Sequence, residues 1–124
     1  LDMCRLLATA DDADADRWAT PAQVTEAALA GSDAHAREAL NLFCGFLGSV
    51  AGNLALTLGA HGGVYIGGGI VPRLGEWFEQ SPFRASFEAK GRFAGYLRAM
   101  PVWVITSHQS PALLGAARAL DGWA

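Results

Sequence analysis

Lysine is almost missing from this sequence of 124 residues: Lys90 is the only one, and the other eight basic residues are arginines. The net charge is -3, the isoelectric point lies near 5.5, and basic residues do not cluster anywhere along the chain. A nucleic-acid-binding surface needs a basic patch or stripe. We therefore expect no nucleic-acid partner.

Cysteine is also scarce. Cys4 and Cys44 stand forty positions apart, with no second metal-ligating residue close to either. A disulfide framework or a zinc site is not expected, and two reduced, buried thiols fit a cytoplasmic protein. The sequence contains no charged segment followed by a short apolar run and a cleavage site, so we expect no secretory signal. The sequence begins at Leu1 rather than at methionine, and we expect that its natural beginning is not included.

Several nucleotide and metal motifs are missing as well. The dinucleotide motif G-x-G-x-x-G would need glycine at position 72, where the chain has Pro72, and G-x-x-x-x-G-K-[ST] does not occur. The acidic run from Asp11 to Asp16 lacks the glycine and the distal glutamate of a calcium-binding EF-hand. We expect a solvated acidic loop there and assign no metal ligand.

What the sequence does contain is apolar: 52% of its residues are hydrophobic and 17% are charged, as in a globular domain with a buried core. The segment from Leu40 to Ala60 has no charged residue, so by length it could cross a bilayer. Polar residues interrupt it at Asn41, Ser49, Asn53 and Thr57. Gly45, Gly48, Gly52, Ala55 and Gly59 fall on one seam, a small-residue spacing that also lets helices approach closely in membranes. The polar residues, and the glycines that lower the hydropathy, favour a helix buried between a sheet and other helices, with no membrane.

Helix starts and ends are marked by capping residues, prolines and glycines. We expect helices at 1–8, from Thr20-Pro21 to Gly31, from Ser32 or Asp33 to Leu58, at 72–79, from Ser81-Pro82 to Gly91, at 92–100 and from Ser110-Pro111 to Leu120.

The most informative stretch is Gly62–Arg73. The apolar run Val64-Tyr65-Ile66 is followed by Gly67, Gly68 and Gly69, and then by Pro72 in the first turn of a predicted helix. A strand, a glycine turn and a helix often bring backbone amides to a nucleotide, because glycine leaves the backbone uncovered. A tight turn without a ligand gives the same pattern, so both readings stay open.

A second strand is predicted at 102–105, buried on both faces, with 106–110 as its exit loop. Two strands joined through helices are most simply parallel, so this loop and Gly67–Gly69 should share one edge of the sheet. His61 should lie at the opposite end. Ser107 and His108 could approach a bound base or be ordinary loop residues, and Arg73 could touch the nucleotide or lie on the surface.

Three segments resemble the bacterial glucokinase family: GGVYIGGGIVPRLGEWFEQSPFRASFEAKGRF, PVWVITSHQSPALLGAA and the helix ALNLFCGFLGSVAGNLALTLGA. The resemblance covers essentially the whole chain. The related repressor–kinase sugar kinases carry a cysteine cluster for zinc, which this sequence lacks.

The resemblance implies an α/β fold, the C-terminal part of an actin-like (RNase H-like) sugar kinase, in which short parallel strands pack with several helices. Residues 1–124 would be the nucleotide-side portion of an enzyme that transfers a phosphoryl group from ATP, with Mg²⁺, to D-glucose in glycolysis. Gly67, Gly68 and Gly69 match the adenosine-side motif of the family.

The resemblance also limits what this segment does. The family's phosphate loop, catalytic aspartate and glucose-binding residues precede it, so no catalytic residue is assigned and the segment alone should be inactive. A homodimer is possible. The alternative is a non-catalytic fragment of the fold, or an oligomerisation module.

Overall fold

The computed structural model describes residues 1–107 and 109–122. His108, one of the residues predicted to lie near a bound base, is outside the described residues. The elements are α1 (Asp2–Ala10), α2 (Pro21–Ala30), α3 (Ala34–Leu58), β1 (Val64–Ile66), α4 (Val71–Leu74), α5 (Glu76–Gln80), α6 (Phe83–Glu88), a 3-10 turn (Gly91–Phe93), α7 (Ala94–Arg98), β2 (Val102–Val104) and α8 (Pro111–Asp121). The expected α/β class, with short strands and several helices, is confirmed.

Helices α2 and α3 begin and end at the predicted caps, whereas α1 extends two residues beyond its predicted end, to Ala10. The Thr20 hydroxyl accepts a hydrogen bond from the Gln23 amide, and the Gln23 side chain accepts one from the Thr20 amide. Asp33 caps α3 by accepting from the Ala36 amide at 2.9 Å. Gly31 and Gly59 end α2 and α3 in the left-handed conformation, where a residue without a Cβ is favoured.

Helix α3 is the central element of the fold, and α1, α2 and α6 pack against it. Its glycine seam faces α6: a Cβ at Gly48 would overlap the carbonyl oxygen of Phe83, and one at Gly52 would overlap that of Phe87. The seam therefore lets two backbones of the same chain approach closely. Phe83 and Phe87, which α6 contributes to the core, are both buried.

The other side of α3 is not covered. Phe46, Val50, Leu54 and Leu58, spaced four residues apart, are exposed. The prediction of a helix enclosed on all sides is thus only half confirmed. By length and composition α3 could cross a membrane, a test that core helices of globular proteins also pass.

The strands pair in parallel, as predicted, in the register Val64↔Val102 and Ile66↔Val104. The Val64 amide donates to the Pro101 carbonyl at 3.0 Å, and the Ile105 amide donates to the Ile66 carbonyl at 2.9 Å.

Two finer predictions are wrong. The helix predicted at 72–79 is split, because Gly75 adopts φ 54° and ψ -138°, which no helix allows, so α4 and α5 are separate. The second strand is not buried on both faces. Trp103 is 42% exposed and stacks on Tyr65, with ring centroids 4.8 Å apart, because in the described residues no further layer covers that face.

Two basic side chains fix α6 to its neighbours. Arg84 donates to the carbonyls of Arg98 (2.8 Å) and Met100 (3.0 Å), and so holds the end of α7 where β2 begins. Arg84 also donates to the carboxylate of Glu88. Burial alone would raise the pKa of Glu88, but hydrogen bonds from Arg84 and Arg98 hold it below the ordinary value. Lys90 donates to the carbonyl and the hydroxyl of Ser49 on α3, each at 3.1 Å.

Candidate functional site

The glycine turn leaves β1 at its carboxyl end and exposes bare backbone. Gly67, Gly68 and Gly69 are all exposed. Gly68 has φ +113°, a conformation that favours glycine, and a Cβ at Gly68 or Gly69 would meet nothing within 4 Å. The turn therefore offers a flat surface on which a ring could lie.

The helix after the turn is shorter than the sequence predicts. Helix α4 has four residues, with Pro72 in its first turn, and its first residue, Val71, is buried. One turn of helix carries little of the dipole that attracts phosphate to longer helices. The glycines, rather than the helix end, are the distinctive feature of this edge.

A pocket of about 550 Å³ lies between the glycine turn and the exit loop of β2. Its described lining consists of Gly67, Gly68, Gly69, Ile105, Ser107, Gln109, Ser110, Pro111 and Ala112. The two loops thus meet at the same edge of the sheet, as parallel pairing predicts. His61 precedes β1 at the other end, where its Nε2 lies 3.0 Å from the Tyr96 hydroxyl.

The described lining of this pocket carries no ionisable side chain. Its polar groups are hydroxyls, the Gln109 amide and backbone, and its walls include Ile105 and Pro111. The Gln109 backbone amide donates to the Ser107 hydroxyl at 3.2 Å, which orders the loop. Such a lining suits an uncharged, flat ring system better than a chain of phosphates, whose charge would find no partner among these residues.

Arg73 does not join this pocket. It is exposed and lines a separate depression beside α2, together with Glu26, Leu29 and Ile70. Of the two alternatives for Arg73, its position in the structure matches the surface residue.

The thiols and the acidic residues form no reactive or metal-binding centre in the described part of the chain. Burial raises the pKa of Cys4, with a further contribution from Asp33, and burial raises the pKa of Cys44. Both thiols are free and buried. Among residues 1–107 and 109–122, no group of three or more His, Cys, Asp or Glu side chains could hold a metal ion.

One polar cluster, centred on His35, was not predicted from the sequence. The Nε2 of His35 lies 2.9 Å from Asp11 Oδ2, and its Nδ1 accepts from Arg17 at 2.8 Å. Arg17 also pairs with Asp33 at 2.9 Å. The cluster fastens the acidic loop to the start of α3, far along the chain from the glycine turn. The only sequence signal for this cluster is the position of His35 beside the helix cap.

Comparison with known proteins gives one consistent family. The sequence model of the glucokinase family matches residues 2–122. The chain is 59% identical over 113 residues to the glucokinase of Chromobacterium violaceum, covering 91% of this chain and 32% of that protein. It is 61% identical over 99 residues to the glucokinase of Aromatoleum aromaticum, covering 80% of this chain and 30% of the relative.

A solved structure agrees. A glucokinase from an Antarctic psychrotroph superposes with a TM-score of 0.73 at 36% identity, over 85% of this chain and 33% of that one. The chain spans about a third of the length of the curated relatives it matches. The match extends over nearly all of its residues, and the chain therefore belongs to the glucokinase family.

Proposed function

We propose that residues 1–124 are the C-terminal, nucleotide-side portion of a glucokinase, and that Gly67, Gly68 and Gly69 form the adenosine wall of its ATP site. The complete enzyme would transfer the γ-phosphoryl group of ATP to the 6-hydroxyl of D-glucose. The observation that carries the proposal is the uncovered glycine turn beside a pocket whose described lining is uncharged, at the carboxyl edge of parallel strands. The named glucokinases that match the chain support it.

The residues of the pocket would act by binding and orientation. The purine ring would lie on the glycine backbone, where any side chain would occupy the same space. Ser107 and Gln109 offer hydroxyl and amide groups to the polar edge of the base, and Ile105 and Pro111 keep water away from its faces. Fixing the adenosine limits the positions that the γ-phosphate can reach, which is a large part of phosphoryl-transfer catalysis.

Mg²⁺ does not fit the described residues of this pocket. The metal prefers carboxylate and phosphate oxygens, and the described lining has no carboxylate. The described residues of the pocket would therefore bind and orient the nucleotide without holding the metal. Mg²⁺, the catalytic base and the sugar ligands would belong to other parts of a complete cytoplasmic enzyme, which would need neither nucleic acid nor a membrane.

The alternative is a non-catalytic fragment or oligomerisation module, in which the glycines only make a turn. The exposed apolar face of α3 favours this reading, because a homodimer could cover it. The two functions differ in whether the glycine turn touches a nucleotide.

A measurement of nucleotide binding in a full-length chain distinguishes the two proposed functions. This chain would replace the matched third of the Chromobacterium violaceum glucokinase, and ATP affinity would be measured by calorimetry for Gly69→Val and Gly62→Val. Both glycines have open space around them and neither has a positive φ, so both variants should fold. Gly68→Val is less suitable, because its φ of +113° would strain any side chain.

We expect Gly69→Val to weaken ATP binding by at least about tenfold, since the side chain would enter the adenosine surface. Gly62→Val, at the other end of β1, should bind ATP as the unmodified chain does. Equal affinity in both variants would show that the turn is structural only.

A further inference from the structure

We propose that His35 is a pH-operated latch. As a neutral imidazole it ties the loop of residues 11–20, which joins α1 to α2, to the start of α3, and on protonation it lets this loop loosen. The proposal concerns a conformational device in the fold and does not depend on nucleotide binding.

The contacts of His35 select one protonation state of its ring. A guanidinium group has donors and no acceptor, and the Arg17 Nη2 lies 2.8 Å from the His35 Nδ1, so this ring nitrogen is the acceptor and carries no proton. The His35 Nε2 lies 2.9 Å from the Asp11 Oδ2, so it carries the ring proton and donates it to the carboxylate. Both nitrogens are therefore used, and the ring is the neutral Nε2–H tautomer.

Arg17 is held in place from other directions. Its Nε and Nη2 donate to the two carboxylate oxygens of Asp33 at 2.9 and 3.3 Å, and its Nη1 donates to the Asp14 carbonyl at 2.6 Å. Hydrogen bonds hold the pKa of Asp33 below its ordinary value against the effect of burial, so this anchor stays charged over the range of about pH 5 to 8 in which imidazoles titrate. The guanidinium therefore keeps its position when His35 gains a proton.

Protonation places a second N–H donor against that guanidinium. Among the described residues, the charged groups beside the imidazole are Asp11 at the end of α1, Arg17 in the loop and Asp33 at the cap of α3; Glu26 of α2 and Glu38 of α3 line other depressions. The two aspartates favour an imidazolium, whereas Arg17 and the positive end of the α3 dipole oppose it. The Asp11 side chain is 72% exposed, so solvent screens its attraction. The charged ring therefore turns away from Arg17.

The segment that leads into α2 is the part that loosens. The Arg17 guanidinium lies 3.8 Å from the centroid of the Trp18 ring, which is buried, and the Trp18 carbonyl accepts a hydrogen bond from Arg5 of α1 at 3.0 Å. Arg17 thus connects His35 to a packed part of the loop. When the contact with His35 is lost, one of the two side-chain ties from Arg17 to α3 remains, the one to Asp33.

Amide hydrogen exchange tests the latch in the chimera in which this chain replaces the matched third of the Chromobacterium violaceum glucokinase. Exchange would be measured without nucleotide or sugar at about pH 8 and about pH 5.5, and corrected for the intrinsic pH dependence of amide exchange. We expect residues 12–18 to exchange on the order of tenfold faster at the lower pH in the unmodified chimera.

Two matched histidine variants identify the group responsible. His35→Gln cannot titrate, and glutamine is a good helix former, so this variant should fold and show the same corrected rate at both pH values. His61→Gln changes a histidine whose contact is with Tyr96, and it should keep the tenfold difference. Nitrogen NMR of labelled histidine rings gives a second readout: the signal that His35→Gln removes should show an unprotonated Nδ1 and a protonated Nε2 at about pH 8.

Three results would overturn the proposal. The first is a corrected exchange rate of residues 12–18 that is equal at both pH values in the unmodified chimera. The second is a tenfold difference that survives in His35→Gln. The third is the Nδ1–H tautomer of His35 at about pH 8. A chimera that fails to bind ATP would contradict only the proposed function, because none of these measurements uses nucleotide.

Discussion

Asp33 combines two roles at the start of α3. Its carboxylate caps the helix at the Ala36 amide and pairs with Arg17, which also contacts His35. Burial by itself would raise the pKa of Asp33, but the hydrogen bonds from Arg17 and Ala36 outweigh it and hold the pKa below its ordinary value. The charged form of Asp33 therefore stabilises the folded chain.

We expect Asp33→Asn to cost about 0.5–1 kcal/mol of unfolding free energy at pH 7, because asparagine still caps the helix but loses the ion pair. Asp33→Ala should cost about 1 kcal/mol more, through the lost cap. Urea unfolding monitored by circular dichroism measures both.

The pH dependence of that loss has a definite sign. A carboxyl with a depressed folded-state pKa stabilises the fold above its unfolded pKa, and this contribution disappears as the pH falls through the lower, folded value. The difference in unfolding free energy between the parent chain and Asp33→Asn should therefore disappear as the pH falls below about 4. Asp16→Asn, in the loop between α1 and α2, is the control for the loss of one negative charge, because the Asp16 carboxylate makes no ion pair with the described residues. A gap that persists unchanged at pH 2 would contradict this account.

At the scale of elements, the contact between α3 and α6 depends on which glycine faces which atom. Gly45, Gly48 and Gly52 belong to one seam, but only Gly48 and Gly52 lie against backbone carbonyls of α6. A Cβ at Gly45 would make ordinary contacts, 3.5 Å from the Ser86 hydroxyl. Identical substitutions along one helix should therefore have opposite effects.

We expect Gly48→Ala to destabilise the chain by about 2–3 kcal/mol, because the new methyl group forces α6 away from α3. Gly45→Ala should stabilise it by about 0.5–1 kcal/mol, since alanine favours the helix and has room. Thermal unfolding of the two variants provides the comparison. Similar midpoints for both would mean that α6 does not lie on the seam.

Elements specified by neighbouring residues could be predicted from the sequence. The caps at Thr20 and Asp33 and the parallel pairing followed from local chemistry and chain order. The break at Gly75 could not, because the same residue can continue a helix at modest cost. The exposure of Trp103 depends on what covers the sheet, and the partners of His35 come from positions 18 and 24 residues away. At the candidate site, the glycines of the turn could be recognised from the sequence. That the side chain of Gln109 lines the pocket could be seen only in the structure.

At the scale of the whole molecule, the proposed nucleotide pocket has no charged group among its described lining residues. Phosphoryl transfer requires groups that neutralise the γ-phosphate and orient the sugar hydroxyl. We expect the purified 124-residue chain to form no glucose 6-phosphate from ATP and glucose in an assay coupled to NADP reduction. The chimera with the Chromobacterium violaceum glucokinase serves as the positive control. If the isolated chain still formed glucose 6-phosphate after repurification, the expectation that the catalytic groups lie outside these 124 residues would be wrong.

The hydrogen bonds of Lys90 have a practical consequence for chemical labelling. Lys90 carries the sole side-chain amine of the sequence, and that amine holds the Ser49 carbonyl and hydroxyl across the α3–α6 contact. Acylation there would remove two hydrogen bonds and add bulk beside Gly52, which Lys90 already approaches closely. Dyes, cross-linkers and surface immobilisation that react with lysine would thus disturb the packing they are used to observe, and an engineered cysteine on the exposed helix α8 is a safer attachment point.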